Sequence, residues 1–415
     1  MLTDCFPRLH SRYSALPIFG PALDGYASWL SAQGYHRGLV RLHVRGSRQL
    51  DEELRSRGRQ ALREISREDL RDCCPKDSQE DILLASTVWL WERYFDDQKI
   101  LPKPEPTRIH QLVSEYCKHL QNVRGVSIST LKQHSWSVSR FLAHIGYDAN
   151  LSQLSQISGN DIETYMRTRG QRANRASLQH EIAHLRSFLR FLAARGEVKP
   201  GLGDQIDTPR LYRGEQLPRA LPWTTVCNLL SSIDRATPMG LRDYAIFLLI
   251  TTYGLRASEI VALTLDDIQW RLGTIRVSVP KTTTPLLLPL TDSVGNSLVA
   301  YLRRSRPALP YREVFLRCRA PEGVLKPTAV TEAFQALVPR SGIKIPYQGA
   351  HCLRHSYAVR LLRQGVSLKT IGDVLGHRNA ESTCVYIRLA VEDLRGVALS
   401  LPSARVSENT PEVRS

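Results

Sequence analysis

The chain has 415 residues, long enough for two or three domains, and 42% of them are hydrophobic, which supplies real cores and excludes a disordered or fibrous polypeptide. Its 56 Lys and Arg outweigh 40 Asp and Glu, a net charge of +16 with a pI near 9.7, so a polyanion is the expected partner and nucleic acid the first candidate. No apolar run approaches the roughly 20 residues of a membrane span, no basic amphipathic anchor stands out, and the opening Met1-Leu-Thr-Asp-Cys-Phe-Pro lacks the regions of a signal peptide; a cytoplasmic protein with no membrane partner is expected. Eight cysteines without a Cys-x-x-Cys pair predict reduced, structural thiols, and neither a bound metal nor a cofactor is expected.

In chain order, Pro7, Pro17 and Pro21 predict an irregular stretch over residues 1 to about 20. Helical spacing begins with Tyr26, Trp29 and Leu30, turns at Gly34, resumes from about Leu39 to Leu54 among many arginines, and returns from about Asp81 to Phe95. Between these, Ser66 and Asp69 in Ile65-Ser-Arg-Glu-Asp-Leu70 fit the start of a helix. Ile100-Leu-Pro-Lys-Pro-Glu-Pro106 cannot continue a helix and reads as a stiff linker. The pattern then restarts, with Leu112, Tyr116 and Leu120, Gly125, and a helix from about Ser129 through Phe141. Ile157-Ser-Gly-Asn-Asp-Ile162 follows, 92 residues after its counterpart at Ile65. The two pieces fit an internal duplication and fit two unrelated helical bundles equally well.

Arg167, Arg169, Arg172 and Arg175 lie in a stretch without an acidic residue and are candidates for a phosphate-contacting loop. A helix from about Ser177 to Ala194 leads to a second linker, between Lys199 and Pro218, which marks the main domain boundary. Beyond it come helices at Trp223–Ile233 and Leu241–Thr252. Tyr253-Gly-Leu-Arg-Ala-Ser-Glu-Ile260 then places Arg256 in a buried bend between two helices with Glu259 as its carboxylate partner. Residues 273–279 and 286–290 read as two strands joined by a turn that carries Lys281, Glu313–Leu316 as a short strand, and Val294–Arg304 and Thr328–Leu337 as helices. The predicted fold class is therefore mainly α with a small β-sheet near the C-terminal third. The tail from Leu401 is expected to be mobile.

The chemistry concentrates in His351-Cys-Leu-Arg354-His-Ser, Leu375-Gly-His377 and Tyr386. If they converge, His351, Arg354 and His377 offer N–H donors to developing negative charge while Tyr386 offers an oxygen nucleophile, a combination suited to attack on a phosphodiester.

With Arg256 and Lys281 upstream, the ordered set Arg256, Lys281, His351-x-x-Arg354, Leu-Gly-His377, Tyr386 resembles the tyrosine recombinases, the phage-integrase family, over residues 105 to 395. The resemblance implies helical DNA-binding segments before the catalytic domain: an extension over 1–100, an arm-binding or protein-contact module; a core-binding domain over 105–205; and a catalytic domain over 215–400. It implies that Arg256, Arg354 and His377 hold the scissile phosphate, that His351 assists proton transfer, that Lys281 protonates the departing 5′ oxygen, and that Tyr386 forms a 3′-phosphotyrosyl link. It further implies a site-specific recombinase or integrase of a mobile element, acting on double-stranded DNA at the bacterial nucleoid as a synaptic homotetramer, with accessory or sister recombinases as further partners. A type IB topoisomerase and a catalytically silent DNA-binding accessory protein are the competing readings. Lys281 departs from the family pattern, since Pro-Lys-Thr-Thr-Thr stands where a glycine-rich turn is frequent.

Overall fold

The computed structural model describes residues 1–74, 82–102, 105–150, 153–211, 218–278, 285–347, 349–376, 379 and 381–389. Its chain divides into two compact units, Met1–Asp97 together with Gln216–Ser415, and Gln98–Glu215. Among the described residues no helix is long and apolar enough to cross a membrane.

The N-terminal part of the first unit contains α1 (Leu2–Cys5), α2 (His10–Ser14), α3 (Gly20–Ala32), α4 (Arg37–Ser56), α5 (Arg67–Asp72) and α6 (Ile82–Gln98). The expectation of an irregular start is corrected here. Leu2, Cys5, Phe6, Tyr13, Ile18 and Phe19 are all buried, so tertiary packing sustains two helices too short to persist alone. Pro21 lies in the first turn of α3, where no N–H is required. The core is aromatic: Tyr26 stacks on Trp91 at 3.9 Å, with Trp29, Tyr94 and Phe95 around the pair. The Ser66–Asp69 capping box forms and starts α5.

The second unit holds α7 (Arg108–Arg124), α8 (Ile128–His144), α9 (Gln153–Gln156), α10 (Gly159–Gly170) and α11 (Arg175–Ala194), followed by a 3-10 turn at Leu202–Gln205. Tyr116, Phe141, Tyr165 and Phe188, one from each long helix, close its core. Ser158 and Asp161 cap α10 as Ser66 and Asp69 cap α5.

Residues 216–415 carry α12 (Trp223–Ser231), α13 (Pro238–Tyr253), α14 (Ala257–Val261), a sheet of β1 (Ile268–Gln269), β2 (Thr274–Val277) and β3 (Leu286–Pro289), and then α15 (Asp292–Arg304), α16 (Pro327–Ser341), α17 (His351–Arg363), α18 (Leu368–Val374), α19 (Glu381–Cys384) and a 3-10 turn at Val385–Leu389. The three strands are antiparallel in the order β1-β2-β3, with Ile275 opposite Leu288. The strand expected at Glu313–Leu316 is reduced to single bridges, Thr264 to Glu313 and Leu316 to Val324. α13 runs through the centre, with Ala245, Ile246, Phe247, Leu249 and Ile250 buried against α15 and α17. A helix buried nearly all round anchors whatever leaves its end, and what leaves it is the Gly254–Glu259 bend. The N-terminal part touches this part directly: the Glu322 N–H donates to the Gln33 carbonyl at 3.0 Å.

Candidate active site

Gly254 ends α13 in the left-handed conformation, φ +68°, and Arg256 then serves as the N-cap of α14. Its backbone N–H donates to Glu259 Oε2 at 2.8 Å and its Nη1 to Glu259 Oε1 at 2.6 Å, so one carboxylate fixes both the start of the helix and the guanidinium. Glu259 is 4% exposed, whereas the Arg256 side chain is 35% exposed. The bend is thus buried at its base but not at its tip, a partial correction of the expected buried arginine, and the tip is where an anion could arrive.

Arg354, on the first turn of α17, is buried. Its Nη1 donates to the Gly254 carbonyl and its Nη2 to the Leu375 carbonyl at 2.6 Å, with Glu259 Oε2 at 3.8 Å. Arg256 Nη2 makes a long contact, 3.5 Å, to the Gly376 carbonyl. Two guanidinium groups therefore share one carboxylate and the carbonyls at the end of α18. Burial and the neighbouring Arg256 charge lower the Arg354 pKa to about 10, still protonated at neutral pH. Among the described residues, two cations against one anion leave the cluster with an excess positive charge, the arrangement that favours a phosphodiester.

Tyr386 lies in the 3-10 turn at Val385–Leu389 and is only 2% exposed, among Ala358, Val359, Ile371 and Leu375. Burial raises its pKa, and the Arg354 and Arg256 charges oppose the rise. Its hydroxyl lies 3.1 Å from His355 Nδ1. The His355 ring in turn meets the His351 ring edge-on at 4.5 Å. Desolvation among its neighbours, then the Arg354 and Arg256 charges, lower the His351 pKa, although the side chain itself opens to solvent.

The structure thus brings Arg256, His351, Arg354 and Tyr386 together. Lys281 and His377 lie outside the described residues, though the site reaches the residue just before His377 through the Gly376 carbonyl. His355 was not singled out by sequence, yet it bonds the phenol. Its place one turn after His351 on α17 was the available signal, because residues i and i+4 share a helix face.

The four arginines of the second unit are placed less uniformly than a loop would place them. Arg167 and Arg169 belong to α10, Arg172 to the turn, and Arg175 opens α11. Arg169 Nε faces both oxygens of buried Glu181 at 3.1 Å, and Tyr165 donates to the same carboxylate. Arg167 pairs with Glu163 on the surface at 2.7 Å, while Arg172 and Arg175 are exposed. Arg169 and Arg172 line an open cavity of about 600 Å³ with Gln133, Trp136, Asn174 and His180, and Arg140 stacks over Trp136 at 3.5 Å.

A mainly helical fold with a three-stranded sheet thus brings two guanidiniums, two imidazoles and a buried phenol to one place. The phage integrase family model matches residues 222–393, and the model of the phage integrase N-terminal SAM-like domain matches 113–196. A putative integrase/recombinase of Sinorhizobium fredii, y4rA, is 37% identical over 298 residues, covering 72% of each chain. The tyrosine recombinase XerD of Listeria monocytogenes is 30% identical over 70% of this chain and 97% of its own. Among solved structures, XerH recombinase in a post-cleavage complex with a palindromic difH substrate shares the fold with a TM-score of 0.54 at 15% identity, covering 80% of this chain and 92% of its own. A lambda integrase dimer bound to a core site does so with 0.52 at 18%, covering 71% and 99%. The chain belongs to the phage integrase family, the tyrosine recombinases, and is an enzyme of site-specific DNA recombination.

Proposed function

We propose that the protein recombines specific double-stranded DNA sites for a mobile element, in the cytoplasm, through a covalent 3′-phosphotyrosyl intermediate. The observation that carries this reading is the Tyr386 phenol, bonded to His355 and within the field of both Arg256 and Arg354. The two arginines hold the non-bridging oxygens of the scissile phosphate and offset the charge that grows on them as phosphorus becomes five-coordinate. An ordinary phenol has a pKa of about 10, so ionising it at pH 7 costs about 4 kcal/mol, and burial adds to that. His355 accepts the proton as Tyr386 Oη attacks, with His351 beside it. The bond from phosphorus to the 5′ oxygen breaks, Lys281 protonates that oxygen, and His377 completes the donor set. The phosphotyrosyl ester keeps the energy of the diester, so a 5′ hydroxyl from a second strand reseals the backbone by the reverse reaction.

Two domains serve this chemistry, a core-binding domain over 105–205 and a catalytic domain over 215–400. In the first, exposed Arg167, Arg172 and Arg175 contact phosphates, while Arg169 braces the turn through Glu181. The active species is a tetramer synapsing two sites, with sister recombinases as further partners.

The test is a nicked duplex from the element's ends, which traps the covalent adduct. Wild type is expected to form a protein–DNA adduct stable to denaturation, and Tyr386→Phe none. An adduct that survives in Tyr386→Phe refutes the mechanism. A 5′-bridging phosphorothiolate, whose leaving group needs no acid, is expected to restore cleavage by Lys281→Ala; failure removes Lys281 from the acid role.

A further inference from the structure

Residues 1–97 and the second unit are built on one plan. Helices α3, α4, α5 and α6 correspond in order to α7, α8, α10 and α11. Left-handed Gly34 and Gly125 follow the first helix of each set, His36 and Ser127 cap the second through their side chains, and the two Ser-x-x-Asp boxes cap the third. Corresponding positions stand 90 to 92 residues apart through the start of the third helix and 97 apart in the fourth.

The match reaches individual contacts. Tyr26 packs on Trp91 as Tyr116 packs on Phe188, at 3.9 and 5.2 Å between rings. His43 bonds Thr87 at 3.1 Å, and its counterpart His134 meets the counterpart of Thr87, His184, at 4.1 Å between rings. Residues 40–51 and 131–142 share almost the same order of buried and exposed positions. Capping chemistry recurs by chance; pairs of core residues that touch each other in both copies at one spacing do not.

The correspondence also covers the surface. Arg41 and Arg45 of α4 occupy the places of Lys132 and Trp136 of α8, and Trp136 lines the cavity that holds Arg172. Arg37, Arg41, Arg45 and Arg48 follow one face of α4, and residues 37–50 contain no acid; the next carboxylate, Asp51, is buried and accepts the Ile18 and Phe19 N–H groups. Arg37 donates to the Asp4 carbonyl, Arg41 lies over the Phe6 ring at 5.3 Å, and Arg48 pairs with Glu52 at 2.9 Å. Arg45 is exposed, with no hydrogen bond or ion pair among the described residues. Residues 1–97 hold 14 Lys and Arg against 15 Asp and Glu, while 98–215 hold 17 against 10. The N-terminal copy is therefore not basic as a body; its positive charge is gathered on this face.

We propose that residues 1–97 are a second copy of the SAM-like domain and that the Arg37–Arg41–Arg45–Arg48 face of α4 is a second contact to the phosphates of duplex DNA. The assignment rests on the reading of Arg172 and Arg175 as phosphate contacts, and the test separates the two.

The probe is a 60-base-pair duplex of arbitrary sequence, because phosphate contacts act on any duplex, and the readout is full-length protein binding by anisotropy across a salt series. Each phosphate contact contributes about 0.9 to the slope of log K against log salt. Arg41→Gln with Arg45→Gln is expected to make the slope shallower by about 1.8, Arg41→Lys with Arg45→Lys to keep it, and Arg172→Gln with Arg175→Gln to make it shallower independently. Because Arg41 packs on Phe6, Arg45→Gln alone, with an expected change of about 0.9, covers the case in which the double variant fails to fold. If the α4 variants keep the wild-type slope while the Arg172–Arg175 variant loses it, the second contact is refuted and the first stands. If the Arg172–Arg175 variant keeps the slope and the α4 variants lose it, the reading of Arg172 and Arg175 as phosphate contacts is refuted instead. An unchanged slope with weaker self-association of the α4 variants overturns the proposal in favour of a protein contact.

Discussion

Glu259→Gln is the sharpest probe of the site, because it keeps the shape of the side chain and removes the one negative charge between two arginines. Glu259 is 4% exposed and receives the Arg256 N–H, Arg256 Nη1 at 2.6 Å and, at 3.8 Å, Arg354 Nη1. Breaking a buried ion pair by neutralising one partner costs about 3–5 kcal/mol. Arg256 is a third exposed and regains water, so about 2–3 kcal/mol is the expected loss of folding stability. Arg354 is buried and cannot regain water. A glutamine amide must also turn one N–H toward a guanidinium or toward the Arg256 N–H, so one of the two hydrogen bonds to Arg256 is lost, and with it the fixed aim of the clamp. A misplacement of about 1 Å at a reacting centre costs about 100-fold in rate. Urea denaturation reads the first effect and single-turnover adduct formation on nicked duplex the second. A variant as stable as wild type that cleaves within about threefold of it would show that the carbonyls of Gly254, Leu375 and Gly376 hold the arginines unaided, and the role given to Glu259 would be wrong.

Three further outcomes follow from the geometry. His355→Asn keeps a hydrogen-bond acceptor near Tyr386 but removes the base; adduct formation is expected to fall about 100- to 10,000-fold and to lose its imidazole limb in the pH–rate profile, and an unchanged profile would exclude His355 as proton acceptor. Gly254→Ala places a Cβ 2.5 Å from Leu375 Cδ2 and 2.8 Å from Tyr357 Cδ1 in a left-handed residue; about 2–4 kcal/mol of destabilisation is expected by calorimetry, and a neutral substitution would contradict the tight fit at the bend. His134, buried beside His184 and bonded to Tyr116 at 2.9 Å, has its pKa pushed down to about 4, first by burial and then by the charge of His184. Between pH 6.5 and 4 the unfolded chain binds a proton there that the native state refuses, so stability falls as pH falls through that window, by up to about 3 kcal/mol. His134→Gln is expected to flatten this part of the stability–pH curve, and an equal slope in the variant would locate the acid sensitivity elsewhere.

Local chemistry was legible because it depends on neighbours in sequence. Ser66 with Asp69, Ser158 with Asp161 and the Arg256–Glu259 pair are all set within a few residues, and each forms as read. What depended on distant residues was not legible. Glu181 lies 12 residues from Arg169 and one helix away, so a stretch that looks free of acids holds an arginine facing a buried carboxylate. α1 and α2 exist because Leu2, Cys5, Phe6 and Tyr13 fill a core built by later helices, against the local signal of the prolines. His355 belonged to the quoted motif, but only the fold of the 3-10 turn at Val385–Leu389 brings Tyr386 to it. The repeated Ile-Ser-x-x-Asp pieces were ambiguous by themselves, since Tyr26–Trp91 and Tyr116–Phe188 become comparable pairs only once they are seen to touch.

The acceptors that hold Arg354 are backbone carbonyls, Gly254 and Leu375, and Arg256 reaches a third on Gly376. No side-chain replacement can delete a carbonyl. A substitution scan across this wall would therefore report tolerance at buried Leu375 for an apolar side chain of similar bulk while the group that matters went untouched. It would report intolerance at Gly254 and Gly376, whose φ values of +68° and +60° set where the carbonyls point. Glu259 aside, the hold on the two arginines is insulated from drift in side-chain identity and exposed to drift in chain path. An insertion or deletion in the α13–α14 bend or at the end of α18 is the change that lineages descending from this protein could least absorb.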